Sequence, residues 1–195
     1  IYPGDVSDQA ICEGMINFAV EKFGKLDVLV NNAGIMDDMS PIGDATNEKY
    51  EQVLRVNTFG PFCAMRKAVN VFLEQGNGGT IVNVASLGAM RSCAGAIYCA
   101  SKAAVISMTK NTAYMYMKDG IRANAIAPGG IASEIATSMG MPNPNGYGRI
   151  QPVLACAPEP GSTEEIAKAA LFLASEDSAY ISGDVLVVDG GWNAG

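Results

Sequence analysis

A tyrosine and a lysine lie four residues apart at Tyr98 and Lys102, a spacing that puts both side chains on one face of a helix. An ammonium beside a phenol favours the phenolate, so this pair predicts a tyrosine whose pKa is lowered from about 10. The same spacing recurs at Tyr114 and Lys118. We expect that second pair to be surface or packing residues, because it lies several turns beyond the start of the helix.

The absence of histidine narrows the chemistry further. Without an imidazole, the chain cannot hold a Ser-His-Asp or Cys-His nucleophile system or a zinc site that uses histidine. The acid or base must therefore be Tyr, Lys, Asp, Glu or Cys. The five cysteines include no Cys-x-x-Cys pair, which argues against a disulfide framework and against a thiolate metal site. We expect no metal, and reduced thiols in a cytoplasmic protein.

Charge and hydropathy exclude two classes of partner. The formal net charge is -7, from 13 basic and 20 acidic residues, so the chain lacks the basic surface that binds a phosphate backbone. No apolar run approaches the ~18 residues of a membrane-spanning helix. We therefore expect neither nucleic acid nor a membrane as a partner. With 49% apolar residues, the chain has enough material for one packed domain over residues 1–195.

Strands and helices alternate along the chain. Apolar periodicity and capping residues predict helices from Ser7 as N-cap to Gly24, over 47–73 with a break at Gly60-Pro61, over 98–118, and from Ser162 onward. Near-continuous apolar runs predict strands over 26–30, 80–85, 121–127 and 185–188. This pattern is typical of an α/β, doubly wound (Rossmann-like) parallel sheet with helices on both faces, in three layers.

Ligands of such sheets bind beyond the carboxyl ends of the strands. The residues there are Asn31 to Gly34, Ser86, and Pro128 to Ser133, all small or polar apart from Ile131. Five of the nine prolines fall within 133–161, which we interpret as a substrate loop or lid. Apolar residues within that segment predict an adaptable, mostly apolar pocket, so lipid-like or steroid-like ketones are favoured over sugars.

Together the motifs resemble the single-domain short-chain dehydrogenase/reductase family, in particular its bacterial ketoacyl reductases and hydroxysteroid dehydrogenases. The motifs that carry the resemblance, in the order of the family, are Asn31-Asn32-Ala33-Gly34, Asn57, Ser86, Tyr98-x-x-x-Lys102, Pro128-Gly129 with Ser133, and Asp189-Gly190-Gly191. They extend over nearly the whole chain.

The resemblance implies an NAD(P)-dependent oxidoreductase that interconverts a secondary alcohol and a ketone. It makes Tyr98 the general acid/base, while Lys102 lowers the pKa of Tyr98 and holds the nicotinamide ribose. Ser86 would orient the substrate oxygen, and Asn57 would hold a water in a proton relay through Lys102. Hydride transfer to a ketone builds negative charge on oxygen, which a phenol and a hydroxyl can stabilise without a metal or a histidine.

The resemblance also implies the contacts to NAD or NADP. The residues expected to bind the cofactor are Asp5, Val6, Asn32, Ala33, Gly34, Tyr98, Lys102, Pro128, Gly129, Ile131 and Ser133. Among these, Asp5 would meet the adenine amino group, Ile131 the carboxamide, and Ser133 the region of the phosphates. A homotetramer is implied as well, built through the two long helices and through the last helix and strand.

Each motif alone has a plainer interpretation. Asn31 to Gly34 could be a strand-ending turn, Ser86 a structural serine, and Asn57 a residue at a helix kink. A non-catalytic chain that serves oligomer packing is the alternative function, although such a chain would not need the four residues Asn57, Ser86, Tyr98 and Lys102 together. Twelve positions separate Ser86 from Tyr98, one fewer than is most common in the family, which predicts a slightly displaced serine.

The Gly-rich strand-turn-helix unit with which the family begins has no counterpart in these residues. The sequence is compatible with a fragment of a longer protein, a partially recorded gene or a short variant, and we expect an N-terminally incomplete sheet. The strand over 26–30 would then be an apolar edge. We also expect these 195 residues alone to bind dinucleotide weakly or not at all. The choice between NAD and NADP stays open, because the residue that makes it lies in the missing unit.

Overall fold

A computed structural model describes all 195 residues. Its four strands are β1 (Val28–Asn31), β2 (Gly79–Val84), β3 (Ile121–Pro128) and β4 (Val185–Val188). They form one parallel sheet in the order β1-β2-β3-β4. Because parallel strands end at the same edge, the segments that follow β1, β2 and β3 converge there.

Six α-helices surround the sheet: α1 (Gln9–Phe23), α2 (Asn47–Leu54), α3 (Gly60–Gln75), α4 (Ala96–Met115), α5 (Pro144–Leu154) and α6 (Thr163–Ala174). None of the helices combines the length and the apolar composition of a bilayer-spanning segment. Between α2 and α3 the chain forms a π-helical segment over Arg55–Phe59. The predicted break in this helix is confirmed, and it begins five residues before Gly60.

Alternate residues of the strands pack against opposite layers. On β2, Ile81 joins the core cluster that contains Ile16 of α1 and Phe72 of α3. The next residue, Val82, packs with α6 through Ile166 on the other face. This alternation is the period of two of a strand covered on both faces. The predicted three-layer, doubly wound arrangement is therefore confirmed.

Strand β1 lies at the edge of the sheet and pairs with β2 alone. Leu29 faces the core and is 5% exposed, whereas Val28 and Val30 are 37% and 46% exposed. The expectation of an apolar edge at this strand is confirmed. Two valines with this exposure form a surface on which a further strand or layer would bury apolar area.

Two local predictions differ from the structure. The N-cap of α1 is Asp8, whose carboxylate accepts from the backbone N–H of Ala10 at 2.8 Å, so the prediction of Ser7 is wrong by one residue. The segment over 133–161 contains α5, which the density of prolines concealed. Asn143 caps this helix, and Pro144 occupies its first turn, where a proline needs no N–H donor. The proposed role of the segment as a lid stays a prediction.

Candidate active site

Helix α4 places Tyr98 and Lys102 side by side, one turn apart, near its N-terminus. Both are buried, at 5% and 3% exposure, and the Lys102 Nζ lies 5.8 Å from the centre of the Tyr98 ring. The Nζ donates to the carbonyl of Val84, the last residue of β2, at 2.9 Å. By contrast, Tyr114 is 72% exposed and Lys118 is exposed as well, which confirms that the second pair lies on the surface.

Ser86 meets the Tyr98 side chain just beyond β2. Its hydroxyl accepts from the Gly88 N–H at 3.0 Å, within the short turn Leu87–Ala89, and interacts with the Tyr98 phenol in a way that stabilises the phenolate. A Cβ at Gly88 would lie 3.4 Å from Ser86 Oγ and 3.5 Å from the Tyr98 ring, so the two side chains meet over this glycine. The shorter spacing has not moved the serine away from the tyrosine.

The expected lowering of the tyrosine pKa is wrong for the free protein. Burial raises the pKa of Tyr98 to about 12, and the interaction with Ser86 opposes this only in part. Burial also lowers the pKa of Lys102 to about 8. Desolvation penalises the charged form of each group, and here it outweighs the attraction between ammonium and phenolate that the spacing suggested. Tyr98 is therefore a neutral phenol in the free protein.

A cavity of about 750 Å³ opens in front of these groups. Ten of the predicted site residues line it, namely Asn32, Ala33, Gly34, Ser86, Tyr98, Lys102, Pro128, Gly129, Ile131 and Ser133. The loops after β1, β2 and β3 supply these residues together with α4, as the convergence of strand ends predicted. A volume of this size is typical of a small-molecule or cofactor site.

The cavity also has a wall that the sequence analysis missed. It consists of strand residues behind the predicted ones, the turn after Ser133, and one face of α6: Val30, Val84, Ala85, Glu134, Ile135, Ser138, Thr163, Ile166, Ala167 and Ala170. The capping box of α6 was a usable signal, since Ser162 and Glu165 place the start of this helix. The position of α6 against the cavity, however, depends on tertiary packing and could not be predicted from this local signal.

Asn57 lies behind the cavity, fully buried within the π-helical segment. Its Nδ2 donates to the Ile35 carbonyl at 2.8 Å and to Ser101 Oγ at 3.1 Å, and its Oδ1 accepts from the Ile35 N–H at 2.9 Å. The side chain thus ties the loop after β1 to α4. The kink interpretation is confirmed, because a π turn is a single-turn bulge in a helix. The proposed water relay stays a prediction.

Asp5 and Val6 do not line the cavity. The Asp5 carboxylate is exposed and accepts from the Ser7 N–H at 2.9 Å, a hydrogen bond that lowers the pKa of this carboxyl. The carbonyl of Val6 accepts from the Cys12 thiol at 3.1 Å. Their expected contacts to adenine stay predictions.

The residues around Lys102 fit the ribose of a nicotinamide cofactor. The ammonium has three N–H donors and one hydrogen bond to protein, that to Val84, so two donors remain for hydroxyl groups. A Cβ at Gly34 would lie 3.1 Å from Lys102 Nζ and 3.4 Å from Asn57 Oδ1. Glycine at this position therefore keeps open the space next to the ammonium.

Comparison with known proteins agrees with this geometry. The family model described as Enoyl-(Acyl carrier protein) reductase matches residues 1–193. The 3beta-hydroxysteroid dehydrogenase 2 of Eggerthella lenta is 44% identical over 193 residues, which cover 97% of this chain and 74% of that protein. Galactitol 2-dehydrogenase of Agrobacterium fabrum is 39% identical over 199 residues, covering 96% and 76% of the two chains.

Solved structures agree as well. The crystal structure of levodione reductase has a TM-score of 0.86 and 35% identity, covering 98% of this chain and 76% of that one. The structure of ElxO with NADP bound has a TM-score of 0.85 and 32% identity, covering 100% of this chain and 78% of that one. The chain therefore belongs to the short-chain dehydrogenase/reductase family of NAD(P)-dependent oxidoreductases.

Proposed function

We propose that this protein interconverts a secondary alcohol and a ketone, and that Tyr98 is the group that moves the proton. One observation carries the proposal: the phenol of Tyr98 and the hydroxyl of Ser86 meet at the wall of a cavity in which the buried Lys102 has unused donors. A hydrophobic pocket with a few convergent polar groups and a perturbed tyrosine is the expected setting of acid-base chemistry.

NAD or NADP, when bound, supplies or removes the hydride. The residues that would hold it are Lys102 at the ribose hydroxyls, Ile131 and Ser133 on the loop after β3, and the backbone of Asn32 to Gly34. A structural neighbour that carries NADP supports this assignment, as does the fit of Gly34 against the ammonium. Whether NAD or NADP is used stays open.

In the reductive direction, the Tyr98 oxygen donates its proton to the ketone oxygen, and the Ser86 hydroxyl hydrogen-bonds to the charge that develops on that oxygen. A pKa raised to about 12 by burial keeps the phenol protonated, which suits this direction. In the oxidative direction, Tyr98 must first lose its proton. The nearby Lys102 ammonium then stabilises the phenolate, and the reaction is favoured by rising pH until the lysine itself is deprotonated.

We propose a steroid-like or lipid-like ketone as substrate. Half of the residues that line the cavity are hydrophobic, including Ile131 and Ile135, and these side chains can contact an apolar ring system. The relative at 44% identity is named as a hydroxysteroid dehydrogenase, whereas the one at 39% is named for galactitol. Steady-state turnover of a sterol panel against a polyol panel decides between the two classes.

We also propose assembly into a homotetramer through the two long helices and the last helix and strand. Apolar side chains are exposed on these elements: Phe62 at 41% on α3, Met115 at 62% on α4, and Leu171 at 70% on α6. Burying them in a second copy would stabilise the oligomer. Sedimentation velocity of the full-length protein measures the oligomer, and a monomer at micromolar concentration contradicts the proposal.

The proposed function is tested by fluorescence titration of the full-length protein with NADH and NADPH, followed by turnover with a ketone. Lys102→Met should weaken binding by about tenfold or more, because it removes donors from the ribose. Lys118→Met is the matched control, since it removes an exposed lysine that follows Tyr114 at the same four-residue spacing, in the short turn after α4. Equal binding by both variants would remove Lys102 from the site.

A further inference from the structure

Asp37, three residues after Gly34, is a fully buried carboxylate to which the mechanism above gives no role. Its Oδ2 accepts from the backbone N–H of Tyr98 at 2.9 Å, and its Oδ1 accepts from the N–H of Met39 at 3.0 Å. It takes part in none of the three ion pairs of the protein. Burying a carboxylate that no cation pairs costs free energy, so the presence of Asp37 at this position needs an explanation.

Helix α4 has no side-chain cap of its own. Its N-cap residue is Gly95, which has no side-chain acceptor, and the third residue of the helix is Tyr98. Side chains at the N-cap normally accept from the second or third N–H of a helix. Asp37 makes this bond from 61 positions away in the sequence, and the backbone carbonyl of Ser40 accepts from the Ala96 N–H at 3.0 Å beside it. The loop after β1 thus caps the helix that carries the tyrosine.

The absence of a side chain at Gly95 leaves room for this carboxylate. A Cβ at Gly95 would lie 2.2 Å from Oδ2 and 2.3 Å from Oδ1 of Asp37. The same loop holds the one residue other than glycine with a positive φ, Met39 at 62°, a backbone conformation that costs about 1 kcal/mol or more and needs support from its surroundings. The Asp37 hydrogen bond to the Met39 N–H supplies that support.

We propose that Asp37 is a positioning residue for Tyr98: its carboxylate fixes the first turn of α4, and its negative charge, which no cation pairs, adds to burial in favouring the protonated, proton-donating form of the phenol. This inference rests on the proposed function of Tyr98. Asp37 does not line the cavity, so it acts on the reaction through the backbone and the electric field and not by touching the substrate.

The charges around the phenol set the sign of the effect. Besides Asp37, the groups that face Tyr98 are Ser86, the thiols of Cys93 and Cys99, and the ammonium of Lys102. Burial raises the pKa of both thiols, so they are neutral below pH 9. Asp37 is then the negative charge that opposes the phenolate, while Ser86 and the ammonium favour it. Removing the charge of Asp37 must make the phenolate easier to form.

The test compares Asp37→Asn and Asp37→Ala with Asp38→Asn in the full-length protein. Asp38 is the matched control, because its carboxylate accepts from Ser40 N–H at 3.2 Å in the same loop and does not reach α4. We measure the pH dependence of kcat/KM for alcohol oxidation, the cofactor KM, and hydrogen exchange of the amides at 96–99.

We expect the oxidative profile of Asp37→Asn to move to lower pH, with cofactor KM unchanged within about twofold, and Asp38→Asn to behave as the parent protein. Asp37→Ala should lower kcat by about ten- to a hundredfold through the misplaced first turn, and should speed exchange at 96–99. If Asp37→Ala does not fold, the pH profile of Asp37→Asn remains as the test, because asparagine has nearly the same size and shape as aspartate. An unmoved pH profile in Asp37→Asn, with activity that follows stability alone, would overturn the proposal.

Tyr98→Phe separates this inference from the function on which it rests. If Tyr98→Phe is inactive and the profile of Asp37→Asn does not move, the role of Asp37 is wrong and that of Tyr98 stands. If Tyr98→Phe keeps full turnover, the proposed function itself fails.

Discussion

Replacing Tyr98 by phenylalanine separates chemistry from packing. The ring is 5% exposed and would keep its place in the core, so the change removes one oxygen and no apolar contact. Ser86 loses its interaction with the phenol but keeps the hydrogen bond from the Gly88 N–H at 3.0 Å, and because Ser86 lines the cavity its hydroxyl can bind water instead. The free energy of unfolding should therefore change by at most about 1 kcal/mol, equivalent to roughly 2–4 °C in Tm.

Turnover should respond very differently. A positioned acid or base contributes about 10²–10⁴-fold to the rate, so Tyr98→Phe should lower kcat by that factor while NADH still binds. The assay is NAD(P)H absorbance with a ketone at saturating cofactor, alongside thermal unfolding of the same samples. Tyr114→Phe, on the exposed end of α4, is the control and should leave kcat and Tm unchanged. A Tyr98→Phe variant with kcat within about threefold of the parent would refute the assignment.

Three further changes probe the neighbours of the tyrosine and the frame of the site. Ser86→Ala should lower kcat by about 10²-fold, because it removes a donor from the developing charge, and intact turnover would make Ser86 a structural residue. Lys102 is charged in the unfolded chain up to pH 10.5, while burial lowers its pKa in the folded protein to about 8. Between pH 8 and pH 10.5 the unfolded state therefore binds more protons than the folded state, so the free energy of unfolding should rise with pH by about 2–3 kcal/mol across this range. Urea titrations of the parent protein and of Lys102→Met measure this difference. Arg122→Met should destabilise the protein by about 2–4 kcal/mol in the same assay, because the guanidinium donates to the carbonyls of Leu173, Ser175 and Ile181 at 3.2–3.3 Å; an unchanged midpoint would contradict this.

The sheet and the position of the site could be predicted because local signals determine them. Each strand is a short apolar run between turn residues, and polar or small residues follow directly after β1, β2 and β3. Convergence of parallel strand ends then brings Gly34, Ser86 and Pro128 to one edge without further information. The four-residue spacing of Tyr98 and Lys102 placed both on one face of α4 for the same reason.

The four-residue spacing of Tyr98 and Lys102 gives no information about how deeply the two side chains are buried. A pair at this distance on a solvated helix would lower the tyrosine pKa, but both side chains are within 5% of full burial, and desolvation reverses the sign. The helix α5 was missed on similar grounds. Prolines argued for a loop, yet Pro144 lies in the first turn, where no N–H donor is needed, and α5 continues through Pro152 at the cost of one helical hydrogen bond.

Asp37 was missed because its partner is distant in sequence. The pattern Asp37-Asp38 resembles any polar turn, and the residue before α4, Gly95, has no side chain that could indicate a cap. The hydrogen bond between Asp37 and Tyr98 joins the loop after β1 to the helix after β2, so it exists only once the parallel sheet has brought those strand ends together.

The same fold thereby holds two buried charges of opposite sign around one phenol. Lys102 contacts the site from the second turn of α4, and Asp37 from the first, through the backbone of Tyr98 itself. Moving either charge changes the ease with which the phenol ionises, in opposite directions. Loss of the Lys102 charge should make the phenolate harder to form and move the pH profile of alcohol oxidation upward, and loss of the Asp37 charge should move it downward. The pH range in which alcohol oxidation is fast therefore depends on residues that need not touch the substrate.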